Sequence, residues 1–126
     1  YKRTLEGALK YLLINSKHRA IKSKIEFNLN YEDLLTLYND NNGCCKLTGI
    51  YFDLEKTNEK FKNYKFYPTG MSLDKIDSFK GYTKDNVRLV ICAMNIALHQ
   101  YGTAFFENMI CAYITKNRDK EIFNNL

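Results

Sequence analysis

Three polar residues are spaced so that a small fold could bring them together. Asp74, Asn86 and Asn95 are separated by 12 and 9 residues. Carboxylate and amide oxygens are hard ligands that suit Mg²⁺, which keeps several waters and needs only one or two protein ligands beside a substrate phosphate. A cation held there would neutralise charge on a phosphate during a displacement reaction. Taken one at a time, however, Asp and Asn at such positions are more typical of turns and helix caps.

Three neighbouring residues are candidates for charge stabilisation or proton transfer. Lys75 follows Asp74, and because a lysine is protonated at neutral pH it is better suited to contact phosphate than to accept a proton. His99 falls four residues after Asn95, so on a helix both would project from one face, and an imidazole titrates near neutral pH. Its alternative role is to cap or pack a helix near Tyr101. Asp77 is the other candidate base, with turn formation as its alternative.

The sequence around these residues predicts two strands followed by a helix. Met71 to Ile76 and Val87 to Ile91 are typical of strands, so Asp74 would close the first strand and Asn86 would start the second. Ser78 to Asp85 joins them, with Gly81 as the expected turn residue. After Ile91 the spacing becomes helical, which places Asn95 early in a helix that Gly102 stops. The apolar face of that helix is expected to comprise Ala93, Met94, Ala97 and Leu98.

Helices are predicted on both sides of this central segment. Apolar spacing indicates a first helix from about residue 3 to 22, followed by an extended piece over 25–29. Asn30 is the expected cap of a second helix, with Asp33 in its first turn, and residues 41–43 should end it. Residues 53–67 are predicted to form a surface loop. A final helix capped by Thr103 should bury one face made of Phe105, Phe106, Met109, Ile110, Tyr113 and Ile114.

These elements predict a single α+β domain. It comprises a helical part over residues 1–42, a core over 43–101 and a C-terminal helix over 102–126. Nineteen Lys and Arg against 14 Asp and Glu give a net charge of +5, which suits a polyanionic partner without requiring one. No apolar run approaches the roughly 20 residues of a membrane span, and residues 1–14 lack a signal-peptide core, so we expect a cytoplasmic protein with reduced cysteines.

Four motifs in order resemble those of the HNH, or His-Me finger, endonucleases. They are the segments GCCKLTG (43–49), SLDKID (72–77) and KGYTKDNVRLV (80–90), followed by Asn95. The match covers about residues 43–102 and is most similar to the phage and bacterial branch of that family. The resemblance implies a ββα-metal core flanked by the terminal helices, and metal-dependent hydrolysis of DNA by an intracellular enzyme, with phage, viral and bacterial genes all left open as its source.

The resemblance also implies roles for particular residues. Asp74 and Asn95 would hold Mg²⁺ or Mn²⁺, and Asn86 would fix the loop that positions the base. The family usually has a catalytic His where this chain has Lys75. Many relatives bind a structural zinc through two CxxC pairs, but here Cys45 and Cys92 each lack their second cysteine, so we expect no structural zinc.

The expected partner is DNA. Lys80, Lys84 and Arg88 would contact its backbone near the scissile phosphate, although solvated surface charge is the alternative for all three. A homodimer and a larger parent protein are both left open. Two rival functions also remain: a non-catalytic DNA-binding module with a degenerate HNH site, and a protein-interaction domain in which the polar cluster only forms turns.

Overall fold

A computed structural model describes residues 4–121 and contains both helices and strands. The elements are helices α1 (Leu5–Ser23) and α2 (Tyr31–Asp40), strands β1 (Met71–Lys75) and β2 (Val87–Ile91), and helices α3 (Cys92–Leu98) and α4 (Gly102–Asn117). Two short 3₁₀ turns lie at Glu59–Phe61 and Lys84–Asn86. The coarse α+β prediction is therefore confirmed. Within residues 4–121, every helix is too short or too polar to cross a membrane.

The first two helices begin at capping residues that the sequence marks clearly. The Thr4 hydroxyl accepts a hydrogen bond from the Gly7 amide at the start of α1; residue 3, where the prediction began, lies outside the described residues. At α2 the Asn30 side chain accepts from the Asp33 amide at 2.9 Å while the Asp33 carboxylate accepts from the Asn30 amide at 3.0 Å. This reciprocal pair is a capping box, and it confirms the predicted cap. Asn42 and Gly43 then take positive φ angles and end the helical segment.

The two strands form an antiparallel pair that separates a core face from a polar face. The register runs from Met71 opposite Ile91 to Lys75 opposite Val87. Because successive side chains alternate, Met71 and Leu73 pack with residues of α1 and α2 in the main core. Ser72 and Asp74 lie on the other face, against which α3 packs. Ser72 and Asp74 therefore lie between the antiparallel strand pair and α3.

The link between the strands contains a glycine whose role differs from the prediction. Gly81 does not take a positive φ, so it is not a left-handed turn residue. A Cβ atom at this position would clash with the Glu26 carbonyl oxygen. The Tyr82 amide donates to that same oxygen at 2.9 Å, and Phe27 forms an isolated bridge with Tyr82. Gly81 therefore allows the close approach of two backbone segments, and the predicted extended piece over 25–29 is reduced to this bridge.

The loop over residues 53–67 is closed at its base by one tyrosine. The buried Tyr67 hydroxyl donates to the Asp53 carboxylate at 2.7 Å and accepts from the Asn58 amide at 2.8 Å. Burial raises the pKa of Asp53, but hydrogen bonds from Tyr67, Thr57 and the Glu55 amide outweigh it, so the pKa lies below its usual value. The remainder of the loop is mostly exposed, as predicted.

Two predictions about α4 are wrong. The helix begins at Gly102, so Thr103 lies inside its first turn, and no side chain caps its start. None of the α4 residues is buried, and Phe105, Met109 and Tyr113 remain 56%, 46% and 54% exposed. The reason is that α4 packs mainly on the short helix α3, which covers only one side of it. Residues 122–126 of the predicted helix lie outside the described residues.

Candidate functional site

Two of the clefts beside the strand pair adjoin each other and share several lining residues. The larger, of about 430 Å³, is bounded by α1, the 53–67 loop, β1 and α3. The smaller, of about 230 Å³, extends toward the link between the strands. Asp74, Lys75 and His99 line both, and Asn95 lines the larger one. Most of the residues that the sequence selects for chemistry therefore meet at one place.

Asp74 carries a nearly buried carboxylate that is already paired with a cation. It is 6% exposed, and the Arg88 Nε atom donates to its Oδ2 atom at 2.8 Å. The strand register explains this contact, because Arg88 lies directly opposite Asp74. Within residues 4–121, the Oδ1 atom accepts no hydrogen bond, and every fully enclosed side-chain oxygen has a partner. Oδ1 must therefore reach the surface of the clefts.

Asn95 presents its side-chain oxygen to the same cleft. Its Nδ2 atom donates to the Ser72 hydroxyl at 2.6 Å and lies 3.5 Å from the Leu73 carbonyl oxygen. A backbone carbonyl can only accept, so the amide nitrogen must be the atom on the strand side. The Oδ1 atom is left without a protein partner among the described residues. Asp74 and Asn95 thus offer one oxygen each from β1 and α3.

Asn86 holds the link rather than lining either cleft. It is the last residue of the second 3₁₀ turn and directly precedes β2, instead of starting that strand as predicted. Its Oδ1 atom accepts from the Asp77 amide at 2.9 Å, and its Nδ2 atom donates to the carbonyls of Asp77 and Gly81 at 3.0 and 2.9 Å. Three hydrogen bonds of one side chain therefore fix the backbone between β1 and β2.

Lys75 is held by the protein on the side of the strand away from Asp74. Its ammonium group donates to the Ser78 carbonyl at 3.0 Å and lies 5.2 Å from the centre of the Tyr82 ring. Arg19 approaches the same ring at 5.6 Å and donates to the Tyr82 hydroxyl at 3.0 Å. Arg19 also lines the larger cleft. Sequence reasoning missed it because it lies in α1, 63 residues from Tyr82, with no local signal of the contact.

His99 lines the clefts from a position just after α3, whereas the sequence predicted that it lies within the helix. Helix α3 ends at Leu98, and His99 follows it with φ 47° and ψ −128°, so the predicted shared helical face with Asn95 is wrong. Its amide still donates to the Asn95 carbonyl at 3.0 Å, and its exposed ring stacks on Tyr101 with centres 5.3 Å apart. A non-glycine residue in this backbone region is strained, and such strain is often found at functional sites.

Asp77 was a candidate base with turn formation as its alternative role, and in the structure its side chain stabilises a turn. Its carboxylate accepts from the Phe79 amide at 3.0 Å, and Lys80 lies 4.0 Å away. The residue lines the smaller cleft and is partly exposed. Its oxygens are thus engaged within the link.

The three predicted DNA contacts fall into two kinds. Lys80 and Lys84 are largely exposed and form long ion pairs, at 4.0 Å with Asp77 and 3.9 Å with Asp33. Arg88 is enclosed, with 13% of its side chain exposed, because it is paired with Asp74. Only the two lysines are therefore free to reach a backbone phosphate without breaking a buried pair.

The His, Cys, Asp and Glu side chains determine which metal ions the described residues could bind. No group of three His, Cys, Asp or Glu side chains within residues 4–121 could hold a metal ion. Burial raises the pKa of the Cys45 thiol, but hydrogen bonds with Thr48 and nearby backbone groups outweigh it and leave the pKa below its usual value. Cys92 contacts the Met71 carbonyl. The expected absence of structural zinc stays a prediction.

No protein-family model, curated protein or solved structure matches this chain. Its function must therefore be argued from the residues and geometry of the clefts.

Proposed function

We propose that the chain is a metal-dependent DNA endonuclease of the HNH type, in which β1, β2 and α3 form a ββα-metal core. One observation carries the proposal: Asp74 and Asn95, on different elements, each present an oxygen without a protein partner to the same cleft. The order of elements and the motifs around them support it.

The donor set fits Mg²⁺ or Mn²⁺. One carboxylate oxygen and one amide oxygen are hard ligands, and Mg²⁺ commonly completes its shell with waters and substrate phosphate. Such an ion, when bound, supplies neutralisation of charge on the phosphate. Arg88 already offsets the charge of Asp74. The protein alone should therefore bind the ion weakly, and DNA should strengthen the binding by adding phosphate oxygens.

The remaining cleft residues would position the DNA and move a proton. Arg19 and Lys75, both held at Tyr82, place positive charge beside the larger cleft where a phosphate can accept hydrogen bonds. Lys75 already donates to Ser78 and cannot accept a proton while it is protonated. A ring nitrogen of His99 is the proton acceptor for the attacking water in this proposal. Asn86 holds the link in place.

Nicking of supercoiled plasmid tests this proposal. The full chain is incubated with plasmid in Mg²⁺, Mn²⁺ or EDTA, beside Asp74→Ala, Asn95→Ala and His99→Gln. Asn108→Ala, which changes an exposed asparagine of α4, is the matched control. Metal-dependent nicking that is lost in the first two variants, reduced in His99→Gln and retained in the control supports the nuclease. Equal nicking by Asp74→Ala and the wild type contradicts it.

A second candidate is a non-catalytic DNA-binding module. The observations that favour it are the ammonium of Lys75 in place of a family base and the cation already paired with Asp74. Fluorescence anisotropy with labelled duplex distinguishes the two functions. Salt-sensitive DNA binding without nicking in any metal indicates the binding module, because phosphate contacts release counterions.

A further inference from the structure

Phe79 is unusually exposed for a large apolar residue. Its 88% exposure is the highest of any large hydrophobic side chain among the described residues. It lies in the link between β1 and β2, at the edge of the smaller cleft. Single exposed apolar residues are common on surfaces, so its significance depends on what surrounds it.

The backbone that carries Phe79 is firmly held. Its amide donates to the Asp77 side chain at 3.0 Å, and the Lys80 amide donates to the Asp77 carbonyl at 3.1 Å. Asn86 bonds to Asp77 and Gly81, one on each side of the aromatic residue. The ring is therefore presented to solvent from a fixed backbone, so binding a partner need not order the backbone at this residue.

The ring lies beside the candidate site, on a link that also carries two exposed cations. The smaller cleft is lined by Phe79 together with Asp74 and His99. Lys80 and Lys84 lie on the same link, with side chains 74% and 73% exposed, and their long ion pairs contribute little to stability. Both can therefore exchange their carboxylate partners for backbone phosphates. An exposed ring on a link that also carries basic side chains, beside a candidate site for phosphate chemistry, matches duplex DNA better than an apolar protein surface.

We propose that Phe79 is a wedge that inserts between two adjacent base pairs of duplex DNA, while Lys80 and Lys84 hold the flanking phosphates. This inference rests on the proposed function, because it specifies how the proposed endonuclease site would engage duplex DNA. Apolar wedges partly unstack a base step and kink the duplex, at a cost that depends on the step. The protein should therefore prefer easily deformed steps and mismatched pairs.

The test measures unstacking directly and without cleavage. A short duplex carries 2-aminopurine beside one mismatched pair, where unstacking is easiest, and binding is followed in EDTA by anisotropy and by 2-aminopurine fluorescence. The proteins are the full-length wild type, Phe79→Ala, Phe79→Trp and the control Phe105→Ala, which removes another exposed phenylalanine, in α4. Circular dichroism verifies that each variant is folded.

The wild type, Phe79→Trp and Phe105→Ala should all raise the 2-aminopurine fluorescence. Phe79→Ala should bind the mismatched duplex about 10-fold more weakly, because a stacked aromatic contributes on that scale, and should cause no rise. The wedge is refuted if the wild type binds without a rise, or if Phe79→Ala gives the same rise. Failure to bind any duplex, with Phe79 instead needed to capture a protein, also refutes it.

The outcome separates the wedge from the nuclease. Unstacking that depends on Phe79 in a protein that never nicks plasmid would support the wedge and contradict the endonuclease. Metal-dependent nicking without unstacking would support the endonuclease and refute the wedge.

Discussion

Replacing Arg88 with methionine should expose how strongly the fold depends on the Asp74–Arg88 pair. Methionine keeps much of the length and apolar volume of arginine but removes the charge and the Nε donor. Asp74, at 6% exposure, would then hold a carboxylate with neither a cation nor a hydrogen bond from the described residues. Such a charge is costly because little water can reach it.

The size of the effect follows from the geometry. At the 2.8 Å separation of Nε and Oδ2, two unit charges at an effective dielectric constant of about 20 attract by about 6 kcal/mol. Desolvation of both groups offsets much of this attraction, but removing one partner leaves the other desolvated, which costs 3–5 kcal/mol in buried pairs. Both side chains retain some exposure, so we expect a loss of about 3 kcal/mol, or about 10 °C in Tm.

A double-mutant cycle isolates the pair. Urea unfolding in EDTA is measured for the wild type, Arg88→Met, Asp74→Asn and the double variant, for which we expect a coupling energy of about 2 kcal/mol. Lys84→Met is the control, because Lys84 is 73% exposed and its pair with Asp33 is long, at 3.9 Å, so the pair should contribute less than about 0.5 kcal/mol. Added Mg²⁺ should recover part of the loss in Arg88→Met, since an ion that binds only the native carboxylate stabilises the folded state.

Two results would refute this reasoning. A loss below about 1 kcal/mol for Arg88→Met would show that the pair behaves like a surface ion pair. Single losses that simply add in the double variant would show that the two side chains do not interact in solution.

Three further predictions concern residues that hold the loops around the clefts. Asn86→Ala should lower the free energy of unfolding by about 3 kcal/mol in urea, because three hydrogen bonds of the link are lost. A loss below about 1 kcal/mol would mean that these three bonds do not hold the link. Gly81→Ala should cost at least about 2 kcal/mol in the same assay, because its methyl group would meet the Glu26 carbonyl; wild-type stability would disprove the close approach. Tyr67→Phe should cost about 1 kcal/mol near pH 6, allowing for the partial exposure of Asp53. The folded-state pKa of Asp53 is lowered, so its contribution is present above the unfolded pKa near 4 and is lost as pH falls through the folded value. The difference between Tyr67→Phe and the wild type should therefore shrink in acid unfolding, and a constant difference from pH 6 to 3 would contradict this assignment.

Local signals in the sequence predict local structure well in this chain. The capping box of α2 depends only on Asn30 and Asp33, three residues apart, and the bounds of β2 follow from a short apolar run. The approach of Asp74 to Asn95 could also be anticipated, because a strand pair and a following helix leave few ways to fold back.

Contacts between distant segments could not be read from the sequence. Gly81 is required by the backbone at Glu26, 55 residues away, although locally it resembles a turn residue. The pairing of Arg88 with Asp74 depends on the strand register, which the positions of two strands do not define. The apolar spacing of α4 shows that one face is hydrophobic, but it does not show whether any other element covers that face.

The most direct test of the nuclease proposal is the single-turnover rate at which excess protein nicks supercoiled plasmid, measured against Mg²⁺ concentration for the wild type and Asp74→Ala. Both proteins should be shown to be folded and to bind DNA equally before rates are compared. We predict a rate that rises with Mg²⁺ and saturates for the wild type, and that falls at least about 100-fold when the carboxylate proposed to bind the metal is removed. An Asp74→Ala rate equal to that of the wild type, or nicking that persists in EDTA, would contradict the proposed role of Asp74.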